Sequence, residues 1–150
     1  MGDATAITNL LYRYAELMDA GEFTAVGELF AHARILMGSG PDDVTDGAGL
    51  LANFEANTIR WEDGTPHTKH VTTNPIVEFG PDGTTATCRS YYTVMQQHGD
   101  TPLQPIICGR YHDRFELVDG EWRFSERDYR HVDLVGDLSR HLRIEVPRRW

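Results

Sequence analysis

From residue 4 to residue 18 the apolar positions Ile7, Leu10, Leu11, Tyr14, Leu17 and Met18 recur at helical spacing, and Asp3 is placed to cap the first turn. Gly21 interrupts the run. The spacing then predicts a second helix over 22–30, with Phe23, Val26, Leu29 and Phe30 on its apolar side. Residues 31–37 read as a strand, and the Gly, Pro and Asp of 38–43 as a loop. A third helix is predicted over 48–59, turning Leu50, Leu51, Phe54 and Ile59 inward. After His67 the period falls from helical to two, which predicts strands over 68–79, 85–98, 103–118 and 121–133. Gly80 to Gly83 and the Asp119–Gly120 pair supply the residues hairpins need, and 99–102 is a further turn. A last helical turn is predicted over 136–142, ahead of an arginine-rich end.

Helices first and long antiparallel strands afterwards define an α+β chain. Strands of this length must twist and curl, often through bulges. A curled sheet with about three N-terminal helices on its concave side makes a cone, whose open end suits a small molecule. At 150 residues the chain is expected to form a single domain over 1–150.

Composition narrows the partners. A formal charge of −9 speaks against nucleic acid and against anionic membrane surfaces. No apolar run approaches the roughly 20 residues of a membrane span, and the N-terminus lacks the basic-then-apolar order of a secretory signal. Cys88 and Cys108 lie in strand-like runs and read as reduced residues of a cytoplasmic protein.

The candidate chemistry lies in two segments fifty residues apart. Tyr14 and Asp19 close the first helix, and His70 opens the strands. Together they offer a phenol, a carboxylate and an imidazole, and histidine is the side chain that titrates near neutral pH. Asp19 has a second reading. With Glu22 it fits a capping box for the second helix, although the carboxyl end of the first helix disfavours an anion. By alternation His70 shares a face with Thr72, Asn74 and Ile76, with Pro75 marking a site where a bulge would fit. His67 competes with His70 but precedes the strand. His67 and His70 fall on opposite faces of a strand, which speaks against a shared metal, and neither a metal nor a cofactor is expected. Arg127, counted by alternation from Trp122 and Phe124, falls on the opposite face, where a surface ion pair competes with a buried role. The expected substrate contacts are Asn74, Trp61, Met18 and Phe54.

The helix end at 14–19, the Gly21-Glu-Phe start, the strand at 70–74, and the runs GRYHDRF at 109–115 and DGEWRFSER at 119–127 resemble the SnoaL-like branch of the NTF2-like superfamily. The resemblance spans about 4–142. It implies a cone-shaped fold and, by similarity to scytalone dehydratase, bile-acid 7α-dehydratase and lindane dehydrochlorinase, a His–Asp pair that removes a proton. Asp19 and His70 match that pair. Tyr14 matches the tyrosine of the bile-acid enzyme, and Arg127 the arginine of the dehydrochlorinase.

The expected function is thus a cofactor-independent dehydratase, lyase or isomerase acting on a small apolar molecule. The alternatives are a non-catalytic binding or assembly module like a dioxygenase β subunit, and a polyketide cyclase. A homodimer or homotrimer is expected, because an outer sheet face carrying Tyr91, Met95 and Ile107 would otherwise be an exposed apolar patch.

Overall fold

The structure, a computed structural model, describes residues 2–147, so the arginine-rich end at 148–149 lies outside the described residues. Helix α1 (Ala4–Asp19) begins where the Asp3 carboxylate accepts the N–H groups of Thr5 and Ala6, at 2.9 and 3.2 Å. Ile7, Leu11, Tyr14, Leu17 and Met18 form its buried stripe, as the spacing predicts. Gly21 ends the turn at φ 74°, a conformation that excludes most side chains. Helix α2 (Phe23–Leu29) and helix α3 (Gly47–Asn57) follow, and the Asp46 side chain caps α3 through the Gly49 N–H at 2.9 Å. Among the described residues no helix is long and apolar enough to cross a membrane.

The strands are β1 (Arg34–Leu36), β2 (Val44–Thr45), β3 (Thr68–Phe79), β4 (Thr85–His98), β5 (Thr101–Val118) and β6 (Glu121–Val135). They form one sheet in the order β2-β1-β6-β5-β4-β3. The sheet is curled, unclosed and mixed, because β1 runs parallel to β6 while the other pairings are antiparallel. The expected strand over 31–37 shrinks to three residues, and β2 arises between the expected loop at 38–43 and the expected third helix. β5 starts two residues earlier than expected because only Gly99 and Asp100 are needed to turn. The segment 136–142 holds a turn closed by the His141 and Leu142 N–H groups on Leu138 O, each at 2.9 Å. Leu142 then bridges to Thr58.

Bulges decide which side chains face the helices. On β3, Thr73 pairs with Tyr91 but Ile76 pairs with Arg89, so β3 carries one extra residue, and Asn74 takes φ 44°. Asn74 and Ile76 are therefore exposed, while Val77 and Phe79 pack against the core. On β6, Phe115 pairs with Phe124 but the preceding Arg114 pairs with Glu126. That extra residue reverses the alternation and brings Arg127 onto the inner side with Phe124, fully buried. The outer-face expectation is corrected in part. Tyr91 is exposed, but Met95 and Ile107 are half-buried, and Ile107 packs against the core.

Candidate active site

The end of α1 lies against the start of β3, the outermost strand of the sheet. Asp19 does not cap α2, whose N-cap is Glu22 without a side-chain bond. Instead its carboxylate reaches across to β3 and accepts three hydrogen bonds. Thr68 Oγ1 and the His70 backbone N–H donate at 2.9 Å each, and His70 Nδ1 lies 2.6 Å from Asp19 Oδ1. These donors compensate an anion at the unfavourable end of a helix. With Nδ1–H held by Asp19, the neutral His70 ring carries its lone pair on Nε2. His67 stands apart, with Nε2 at 3.0 Å from Asp63 and Nδ1 at 2.9 Å from His98, so His70 alone of the two pairs with Asp19.

Tyr14, one and a half turns before Asp19, stands edge-on to His70 with ring centroids 6.0 Å apart. On the far side of Tyr14 lies Arg127. Its guanidinium stacks over Tyr111 at 3.9 Å and Tyr14 at 4.4 Å, and it makes a two-point ion pair with Asp113 at 2.7 and 2.8 Å. Burial opposes the Arg127 charge, but Asp113 and the surrounding phenols outweigh it and keep the guanidinium protonated. Burial also pushes the Tyr14 hydroxyl up from its ordinary range, and those of Tyr111 and Tyr129 well up, so all three stay neutral donors. Gly109 is required here, since a Cβ would stand 2.6 Å from the Tyr92 hydroxyl that lies across it.

Three buried polar atoms around this site have no hydrogen-bond partner: Arg127 Nη1, the Tyr129 hydroxyl and His141 Nδ1. Buried orphans are rare and costly, about 1–3 kcal/mol each. The expected open cone is in fact filled at its centre, where Tyr14 and Tyr111 are each 3% exposed and Arg127 not at all. The dyad is reached from outside by a cleft of about 870 Å³ between α1 and β3, which His70, Asp19, Thr72 and Ala15 help to line.

Of the expected substrate contacts, Met18 is buried on α1 and Phe54 stands edge-on to Tyr129 at 6.5 Å. Asn74 is turned outward by the bulge and bonded by Thr73 Oγ1 at 2.9 Å. Trp61 stacks on His98 at 3.5 Å, in the cluster with His67. Among the described residues no group of three or more His, Cys, Asp or Glu converges as a metal would require.

Sequence reasoning left Tyr111, Asp113, Tyr129 and His141 without a role. A signal existed for Asp113, because alternation back from Phe115 puts an acid on the apolar face. His141 gave none, since its segment has no period. Its side chain is 6% exposed, and burial foremost, then the nearby His70, lowers its pKa to about 4 against the pull of Asp19. An imidazole held neutral must bind a proton when the chain unfolds below pH about 6.5. Stability is therefore lost as pH falls from that value to about 4, and the loss amounts to about 3 kcal/mol. Urea titrations across this range should show a shallower acid-side slope for His141→Leu than for the wild type. Coincident slopes would exclude a neutral His141.

A six-stranded curled sheet with three helices against its inner face is the architecture of NTF2-like proteins. A family model described as a SnoaL-like domain matches residues 1–128, and the chain belongs to that family. A comparison with curated proteins finds no match. Solved structures share the fold. An NTF2-like protein with a cystatin-like fold from Novosphingobium aromaticivorans has a TM-score of 0.66 at 19% identity, covering 84% of this chain and 79% of that one. A candidate scytalone dehydratase from the same organism has 0.62 at 21%, covering 85% and 82%. ActVI-ORFA from Streptomyces coelicolor has 0.67 at 18%, covering 85% and 95%.

Proposed function

We propose that the chain is a cofactor-independent enzyme of the dehydratase, lyase or isomerase type, in which His70 removes a proton from carbon next to a carbonyl. The observation that carries this reading is the buried His70–Asp19 contact at 2.6 Å, with the Asp19 carboxylate fixed by two further donors. A carboxylate so held sets the tautomer that leaves His70 Nε2 free and stabilises the imidazolium that forms. Carbanion character developing on the substrate passes to its oxygen as an enolate. Arg127 and the neutral Tyr14 and Tyr129 hydroxyls supply the donors for that charge. Transfer of that proton from the His70 imidazolium to a leaving β-hydroxyl expels water and gives dehydration, and its return to another carbon gives isomerisation.

The same reading places the protein in the cytoplasm, where the free thiols Cys88 and Cys108 stay reduced. It also makes the protein a homo-oligomer. Val71, Tyr91, Leu103 and Leu134 are 43, 55, 63 and 56% exposed, a set that a second copy can cover.

Proton abstraction is tested without knowing the substrate by following deuterium entry at C2 of 1-tetralone in buffered D₂O by NMR. The protein should raise exchange well above the buffer rate. A series of cyclic ketones that all exchange at the buffer rate would sink the proposal.

A further inference from the structure

The segment 136–147 is a strap pinned over one end of the site. The Gln96 amide donates to Arg140 O at 2.9 Å and to Pro66 O at 3.1 Å, and the Ile59 N–H donates to His141 O at 2.8 Å. Arg143 closes the other side, its backbone N–H on Asn57 O at 2.8 Å and its guanidinium on Thr58 O at 3.2 Å. Gln96 pairs across the sheet with Thr68, which itself bonds Asp19. These contacts hold His141 at the dyad end of the site, while Arg127 packs against Tyr14, Tyr111 and Asp113.

The His141 side chain is therefore placed, buried and incompletely bonded. Its backbone is fixed on two sides, yet Nδ1 has no partner. Packing alone does not explain an imidazole there, because an apolar side chain of similar volume would fill the space without stranding a polar atom. A hydrogen-bonding group of a bound ligand would satisfy it.

We propose that His141 is a ligand-binding residue of this site, which hydrogen-bonds through Nδ1 a neutral hydroxyl or carbonyl of the substrate at the dyad end. The inference rests on the His70–Asp19 reading of the pocket and extends it to the substrate. The molecule carries oxygen at both ends of a small apolar ring. One oxygen becomes anionic and meets Arg127 and Tyr129, and the other stays neutral and meets His141. A neutral imidazole suits the second task, because it offers one donor and one acceptor and does not repel a protonated His70. Burial keeps it neutral at pH 7. Clefts of about 960 and 680 Å³ flank the strap.

The test compares 1-tetralone with 4-hydroxy-1-tetralone, whose hydroxyl lies across the ring from the carbonyl and is not lost by β-elimination. Affinities for the full chain are measured by NMR titration, following the imidazole resonances. The wild type should bind the hydroxy ketone roughly three- to tenfold more tightly, the range of one neutral hydrogen bond. His141→Leu should abolish this preference while leaving 1-tetralone affinity within about twofold, and His141→Gln should restore part of it. A preference that persists in folded His141→Leu overturns the inference, as does equal binding of the two ketones by the wild type or binding of neither. Should the leucine variant not fold, an undiminished preference in His141→Gln overturns it equally. The readout is affinity and not proton exchange, so a failure here is distinct from a failure of the proposed abstraction step.

Discussion

Replacing His70 by alanine should lower protein-catalysed exchange at C2 of 1-tetralone by about 10²–10⁴-fold, the usual worth of a positioned general base. Asp19 keeps two of its three donors in the variant, from Thr68 Oγ1 and from the backbone N–H of residue 70 itself. The structural cost is then that of one charge-assisted hydrogen bond, about 1.5–3 kcal/mol, plus a small cavity. A domain with stability of about 5–15 kcal/mol tolerates that. Circular dichroism and the denaturation midpoint show whether the fold persists. A folded His70→Ala that keeps a third or more of the wild-type exchange rate would exclude His70 as the base. His70→Gln, which fills the space but has no basic nitrogen, should fall as far.

The second large effect concerns stability. Arg127→Met should destabilise the chain by about 3–5 kcal/mol, because it leaves the buried Asp113 carboxylate without its cation. It also removes the guanidinium from the faces of Tyr14 and Tyr111, where desolvated cation–π contact contributes about 2 kcal/mol. Asp113→Leu alone should be comparably harmful, stranding the positive charge instead. The pair Arg127→Met with Asp113→Leu should cost much less than the sum of the two. Urea denaturation of the three variants decides it. Additive losses would mean that the two groups do not act as an ion pair. The pair is a poor source of net stability compared with apolar packing.

Much of this arrangement was readable from the chain. The α1 stripe, its Asp3 cap and the two hairpins follow from local spacing and turn chemistry, which act over a few residues and leave a periodic trace. The meeting of Asp19 with His70 was readable only through the resemblance, since the residues themselves allowed a capping box equally well. What spacing misjudged is what bulges control. Alternation put Asn74 beside His70 and Arg127 opposite Phe124, and both assignments failed because Asn74 lies in the β3 bulge itself and β6 carries an extra residue between Phe124 and Glu126. The filling of the cone also left no trace. It depends on Tyr14, Tyr92, Tyr111 and Tyr129 converging from several elements, and periodicity is silent on convergence. His141 was invisible because a strap pinned by main-chain hydrogen bonds needs no pattern of side chains.

The extra residue at 74–75 lets β3 change the parity of its inward positions while both halves stay paired with β4. The strand works in two phases, one that shows His70 and Thr72 to the helices and one that shows them Val77 and Phe79. Deleting a single residue at the join would bring the second phase into step with the first. Val77 and Phe79 would keep Cys88 and Ala86 as partners and stay on the inner side with His70, and only the bulge at Asn74 would be lost. Exchanging Val77 for another hydrophobic side chain would disturb only local packing, so the half of the strand that carries His70 and the half that carries Val77 and Phe79 can vary independently.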